Sequence, residues 1–207
     1  VLDKQGADAT RWYFYTTSAP WLPSRFHADA VSESQRKFMG TLWNTYAFFV
    51  LYAEIDKFNP LEHNLKDQKL TIMDKWILSG LNTLIKTVDE GLAEYKITET
   101  SRAIGDFVDV LSNWYVRRSR ERFWGSDMTK NKEAAYTTLY TVLATLSKIL
   151  APFTPFLAEE MYQNLVRNFD KNAPESVHLC SFPIADESMI DPRLEEGMGN
   201  VLKLVVL

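Results

Sequence analysis

Apolar residues recur at steps of three and four through five successive segments of this 207-residue chain, a spacing that puts one greasy stripe on each of a series of helices. The first segment runs from about Asp29 to Asn59-Pro60, with Val31, Phe38, Leu42, Tyr46, Phe49 and Ile55 on one face and Ser32 and Gln35 at capping-box spacing. The second, about Thr71 to Tyr95, has Thr71 and Asp74 placed to cap it and repeats Ile77, Leu81, Leu84, Ile85, Val88 and Leu92. A third starts near Thr98 and continues past Arg117, with Ile104, Phe107, Val108, Leu111 and Tyr115 on one face. The fourth, about Lys132 to Leu150, is stopped by Pro152; Thr154 and Pro155 then open a fifth that fades by Asp170.

Each stripe needs a partner, and the connections are short, so the pattern predicts an all-α fold, an antiparallel helical bundle. A short helical stretch, Ala7 to Thr16, precedes it and is halted by Pro20 and Pro23; Ser176 to Phe182 reads as a short extended piece, and Asp191-Pro192 introduces a terminal helix. The expected organisation is a connector over 1–26, the bundle over 27–170 and the start of a truncated C-terminal extension over 171–207. A first residue that is Val and a terminal stripe, Val201 to Leu207, with no stop signal give the expectation of a piece of a larger protein, with Trp12, Trp21 and that stripe as surface covered by its other parts.

A lone Cys180 forms no internal disulfide and no thiolate zinc site, which predicts a reducing, cytoplasmic setting. No apolar run is long enough to span a membrane. Neither G-x-G-x-x-G nor G-x-x-x-x-G-K-[ST] occurs, so no nucleotide loop of those types is expected. Glu175 and His178 make one Glu-x-x-His pair, where a carboxylate bundle site needs two on facing helices; His27 and His63 read as ordinary surface residues.

The net charge of −4 hides a local reversal. Residues 113–132 hold six basic against two acidic residues, +4, leaving 17 basic against 25 acidic, −8, for the remainder. Within that stretch, Ser112 to Trp124 interleaves aromatic rings with guanidinium groups, the means to stack unpaired bases and to fork onto phosphates. At about 100° per residue, Asn113, Arg117 and Arg120 point outward, whereas Trp114 and Arg118 fall near the Leu111 stripe. Trp114 therefore suits core packing and base stacking equally, and a solvated charged helix end is the plain alternative for the arginines.

Several segments resemble the class I aminoacyl-tRNA synthetases, and within them the isoleucyl branch. Gly6 to Tyr13 (GADATRWY) is similar to the family's GADALR segment, with Thr10 in place of Leu. Arg36-Lys37-Phe38 with Leu42 to Tyr46 resembles the first long helix of the family's helical anticodon-binding domain; Leu150 to Phe156 with Glu159-Glu160 resembles the approach to its last core helix. Val177-His178-Leu179 with Phe182-Pro183 resembles the VHL-x-x-FP element beyond, and Asn113 to Arg118 with Arg122-Phe123-Trp124 is the most isoleucyl-like part.

The resemblance implies an enzyme that activates isoleucine with ATP and magnesium and transfers it to tRNA, using catalytic, editing and C-terminal domains of the same polypeptide. The HIGH-type and KMSKS-type signatures are absent from these residues, so this chain is expected to bind no cofactor and to lack adenylation activity. It implies that tRNA lies along the bundle with the anticodon stem-loop at one end, near Asn44 and Trp114. The expected RNA-contacting set is Asn44, Asn113, Trp114, Arg117, Arg118, Arg120, Arg122 and Trp124: Asn44 bonding a base edge or bridging helices, Trp114 stacking, and Arg117, Arg120 and Arg122 on phosphates. Asp8 and Arg11 are expected to hold the connector by local pairing. The competing readings are the same domain from a valyl or leucyl relative, a helical protein-interaction module, and a self-contained enzyme.

Overall fold

The computed structural model describes residues 1–23 and 26–206. Ser24 and Arg25 of the expected connector, and Leu207 of the expected terminal stripe, lie outside the described residues.

The helices are α1 (Leu2–Thr17), α2 (Ala28–Gln35), α3 (Thr41–Ile55), α4 (Ile72–Ala93), α5 (Ile97–Val110), α6 (Arg117–Trp124), α7 (Lys130–Leu150), α8 (Pro155–Tyr162) and α9 (Pro192–Val206). Among the described residues there is no strand; the expected extended piece at Ser176 is a 3-10 turn, Val177–Leu179, capped by the Ser176 hydroxyl. Three expected long helices are continuous in their backbone but widen into π geometry part-way, at Arg36–Gly40, Leu111–Val116 and Gln163–Arg167. Each π turn carries an extra residue, so the side-chain phase slips across it.

The Thr71–Asp74 capping box opens α4 as expected. The Ser32–Gln35 box does not form: Ser32 already lies inside α2, where its hydroxyl donates to the Ala28 carbonyl and accepts from Gln5, while the Gln35 amide donates to the Gln5 carbonyl. Thr154 precedes α8 but gives no side-chain cap. Asp8, brought in by α1, accepts from the Leu157 backbone N–H at 2.7 Å and the Phe156 N–H at 3.4 Å instead. Arg11, one turn on, donates to the Pro152 and Phe153 carbonyls at 2.8 and 3.1 Å. An anion thus meets the N-terminus of α8, and a cation the last carbonyls of the α7–α8 corner. The local pairing expected of these two residues is not formed; each holds the connector by bonding backbone groups more than 140 positions away, and Gly6, at φ +82°, supplies the bend that starts this part of α1.

Antiparallel packing follows from the contacts. A Cβ at Gly91 of α4 would meet the Thr100 hydroxyl of α5, and one at Gly80 would meet the Phe107 ring. Farther along, Asp74 meets Tyr115 and Arg122. α7 runs back along α6, with Phe123 edge-on to Tyr136, and along α3, with Phe49 against Tyr136 and Tyr140. Tyr136, Leu139, Leu143, Leu146 and Leu150 of α7 are fully buried, each leucine contributing about 1.5–3 kcal/mol of transfer free energy.

One apolar core runs through all three expected parts, from Trp12 of α1 to Val177 beyond α8. Trp12 was expected as uncovered surface; it is buried, stacked on Phe38 at 3.6 Å and 11°. Trp21, by contrast, is 76% exposed. Residues past 170 are strapped to α4 by polar contacts: Asn82 accepts from the Asp186 N–H, Ser79 accepts from the Asp191 N–H, and Glu195 accepts from Ser79 and Thr83.

Candidate nucleic-acid interface

At one end of the bundle α3 and α6 finish while α4 and α7 begin, and two cations, buried Lys132 and largely buried Arg122, stitch these four helices together. Asp74, in the first turn of α4, has no exposed surface. It accepts both terminal nitrogens of Arg122, at 2.7 and 2.9 Å, the Tyr115 hydroxyl at 2.7 Å, and the Thr71 hydroxyl and backbone N–H at 2.7 and 2.8 Å. Arg122 reaches on to the Asn131 carbonyl at 2.9 Å, tying α6 and α4 to the first turn of α7. From the other side, Lys132 of α7 contacts Asp56, just past α3, at 2.6 Å and donates to the Gly125 carbonyl at 2.5 Å; Tyr136 donates to the same Asp56 carboxylate.

Burial works to raise the Asp74 carboxyl, and the hydrogen bonds and charge of Arg122, with those of Tyr115 and Thr71, outweigh it and hold it below the ordinary aspartate value. Burial, with the Asp74 charge behind it, pushes the Tyr115 hydroxyl well above its usual range, so it stays protonated and donating.

Around this knot lies the basic segment. Arg117, Arg118 and Arg120 are exposed, and none has a carboxylate ion-pair partner among the described residues. Arg118, expected inward, is outside because the π turn at Leu111–Val116 shifts the phase: Leu111, Tyr115, Val116, Ser119 and Phe123 form the inner face. Its guanidinium lies over the Trp114 ring, 5.8 Å from the centroid. Trp114 is half-buried, its body packed on the core. Trp124 closes α6 with 58% of its surface exposed.

Asn113 is exposed, and its amide nitrogen donates to Asp109 at 2.7 Å, which fixes the flip and leaves its oxygen as acceptor. Asn44 is exposed on α3 and makes no side-chain hydrogen bond among the described residues, so the helix-bridging role left open by the sequence is not formed. It sits one turn before Phe48, which meets Phe123 edge-on at 5.2 Å, so the helices carrying Asn44 and the basic segment share a border.

Arg122 faces inward, onto Asp74. It was expected on a phosphate, but both terminal nitrogens are committed to Asp74 and Asn131, and its Nε is buried without a partner. Lys132, counted in the same basic run, is likewise buried, and Lys130 pairs with Glu133 at 2.8 Å. The sequence signal was available. Asp74 shares the helical phase of Ile77, Leu78 and Leu81, Arg122 that of Tyr115, and Lys132 that of Tyr136 and Leu139; a charge on an apolar stripe needs a buried counter-charge.

No phosphate-binding loop occurs in the sequence, and among the described residues no three His, Cys, Asp or Glu side chains converge as metal ligands.

A family model described as the anticodon-binding domain of tRNA ligase matches residues 74–206. The chain belongs to this family. Among curated proteins this anticodon-binding domain is similar to the isoleucine–tRNA ligase of Clostridium novyi, 62% identical over 208 residues, and to that of Clostridium tetani, 58% identical, each alignment covering 100% of this chain and 20% of the relative. The isoleucine–tRNA ligase of Porphyromonas gingivalis is 50% identical over 96% of this chain and 17% of its own length. The domain thus spans about a fifth of the length of the curated relatives it matches. Among solved structures, the LeuRS of Agrobacterium radiobacter in ternary complex with tRNA and LeuAMS superposes with a TM-score of 0.66 at 19% identity, over 92% of this chain and 21% of that one; it shares the fold.

Proposed function

We propose that this chain is the part of an isoleucine–tRNA ligase that holds the anticodon stem-loop of an isoleucine-accepting tRNA. The observation carrying this reading is the trio Arg117, Arg118 and Arg120, exposed and free of carboxylate partners, flanked by Trp114 and Trp124 at one end of a bundle that belongs to the anticodon-binding family. Free guanidinium groups supply phosphate forks; Trp124 and the Trp114–Arg118 stack supply flat faces for unpaired bases; Asn44 and the oriented amide of Asn113 supply hydrogen bonds to base edges. Isoleucine specificity is supported by the names of the relatives at 50–62% identity. In this reading amino-acid activation with ATP and magnesium, and editing, belong to other domains of the longer polypeptide, and the setting is cytoplasmic. No helix among the described residues is long and apolar enough to cross a membrane.

The test is binding of an isoleucine anticodon stem-loop across a salt series. Arg117→Ala and Arg120→Ala should each weaken binding and lower the salt slope by about one, the signature of a lost phosphate contact. Trp114→Ala should weaken binding with little change in slope. Equal slopes for all three variants would contradict this division of roles.

A further inference from the structure

Arg122 and Lys132 each bond to the chain across the α6–α7 turn: Arg122 of α6 to the Asn131 carbonyl of α7, Lys132 of α7 to the Gly125 carbonyl just past α6. Each then anchors that turn to a buried or nearly buried aspartate on another helix, Asp74 at the start of α4 and Asp56 at the end of α3. The turn between them, residues 125–129, is exposed and follows directly on exposed Trp124. It is held from beneath by those side chains and within itself by the Thr129 N–H on the Asp127 carbonyl, with the Thr129 hydroxyl capping α7 at Lys132. A buried ion pair is a weak source of net stability, because desolvation offsets most of the attraction, but it fixes geometry: the Arg122 fork admits one arrangement of α4, α6 and α7.

We propose that Asp74, Tyr115 and Arg122 are positioning residues for RNA recognition, a clasp that pre-sets Trp124, the following turn and the arginines of α6 in the geometry that the stem-loop meets. The inference rests on the RNA-binding reading above. Arg122 touches no phosphate; it acts through the segment it holds. Holding that segment before binding removes the ordering cost that RNA would otherwise meet. Tyr115 is part of the clasp because its hydroxyl fills an acceptor site on the Asp74 oxygen that also takes Arg122 Nη1.

Two variants of the whole chain, Arg122→Lys and Tyr115→Phe, test this while keeping the charge or the ring. Lysine keeps the charge but cannot bridge both Asp74 oxygens and the Asn131 carbonyl. Two quantities are read at a temperature where both variants are folded: amide hydrogen exchange of residues 124–130 in the free chain, and binding of the isoleucine anticodon stem-loop across a salt series. The clasp predicts faster exchange confined to 124–130 and its flanks, and binding weaker by roughly five- to tenfold, the ordering cost of one or two side chains, with an unchanged salt slope. Full affinity in Arg122→Lys together with a slope lowered by about one in a third variant, Arg122→Met, would return Arg122 to a phosphate and overturn the proposal. Unchanged affinity in both variants, with only a lower Tm, would reduce the clasp to a stability element and also overturn it. Should the unaltered chain show no salt-dependent binding, the RNA reading itself falls; the exchange measurement still separates that failure from one in which the clasp does not order the turn.

Discussion

Asp74, with no exposed surface of its own, carries bonds from three residues, and the sign of its titration follows from them. Its carboxyl is held below the ordinary value by Arg122, Tyr115 and Thr71 against the opposing effect of burial. Its contribution to stability is therefore fully present above the unfolded value of about 3.9 and is lost as the pH falls through the lower folded value. Urea unfolding across pH 2 to 7 should show the native chain losing stability below about pH 4. Asp74→Asn should lose about 3 kcal/mol at neutral pH, because Arg122, whose side chain is only 13% exposed, is left without its counter-charge, and should show a flatter acid limb. Parallel pH profiles for the two would contradict this role. Residue-level expectations succeeded where the side chain obeys simple helical phase, as for outward Arg117, Arg120 and Asn113 and buried Tyr115. They failed for Arg118, displaced by a π turn that no residue type announces, and for Arg122, whose place on the Tyr115 face calls for a buried counter-charge while leaving its identity, 48 positions away, open.

Helix spans were legible because periodicity, Thr71–Asp74 capping and the prolines are local signals. The joints between helices were not. Thr154 stands where an N-cap belongs, yet the cap of α8 comes from Asp8 of α1, 149 residues from the Leu157 N–H it accepts. Asp8→Ala should lower stability by about 0.5–2 kcal/mol, the usual worth of an N-cap, and Asp8→Asn by less; thermal unfolding of the pair checks this. An alanine variant as stable as the native chain would remove α1 from the account of that corner. The α4–α5 hairpin has its own signature. A Cβ at Gly91 would lie 2.4 Å from the Thr100 hydroxyl, itself held on the Lys96 carbonyl at 2.6 Å. Gly91→Ala should therefore cost about 1–3 kcal/mol from overpacking, although alanine favours a helix, and Thr100→Ser in the same background should not restore it, because the clashing hydroxyl remains.

In the molecule as a whole, the α1–α2 region and the basic segment stand at opposite ends. α1 and α2 gather where α7 turns into α8, with Arg11 on the corner carbonyls, whereas the basic segment and its clasp lie where α4 and α7 begin. The 22 residues of α4 separate these ends by about 33 Å at 1.5 Å per residue. A shared core from Trp12 to Val177 makes the span one body, which composition and periodicity could not show, since both read residues 1–26 and 171–207 as appendages. The family resemblance, resting on several short segments in order, was legible along nearly the whole chain and agrees with a family match over 74–206. The most direct measurement is binding of the chain to isoleucine tRNA, valine tRNA and an isolated isoleucine anticodon stem-loop at two salt concentrations. Anticodon-stem-loop recognition by this domain requires preference for isoleucine tRNA, largely retained by the stem-loop and weakened by salt; binding that is absent, or equal for the two tRNAs and lost in the stem-loop, would rule it out.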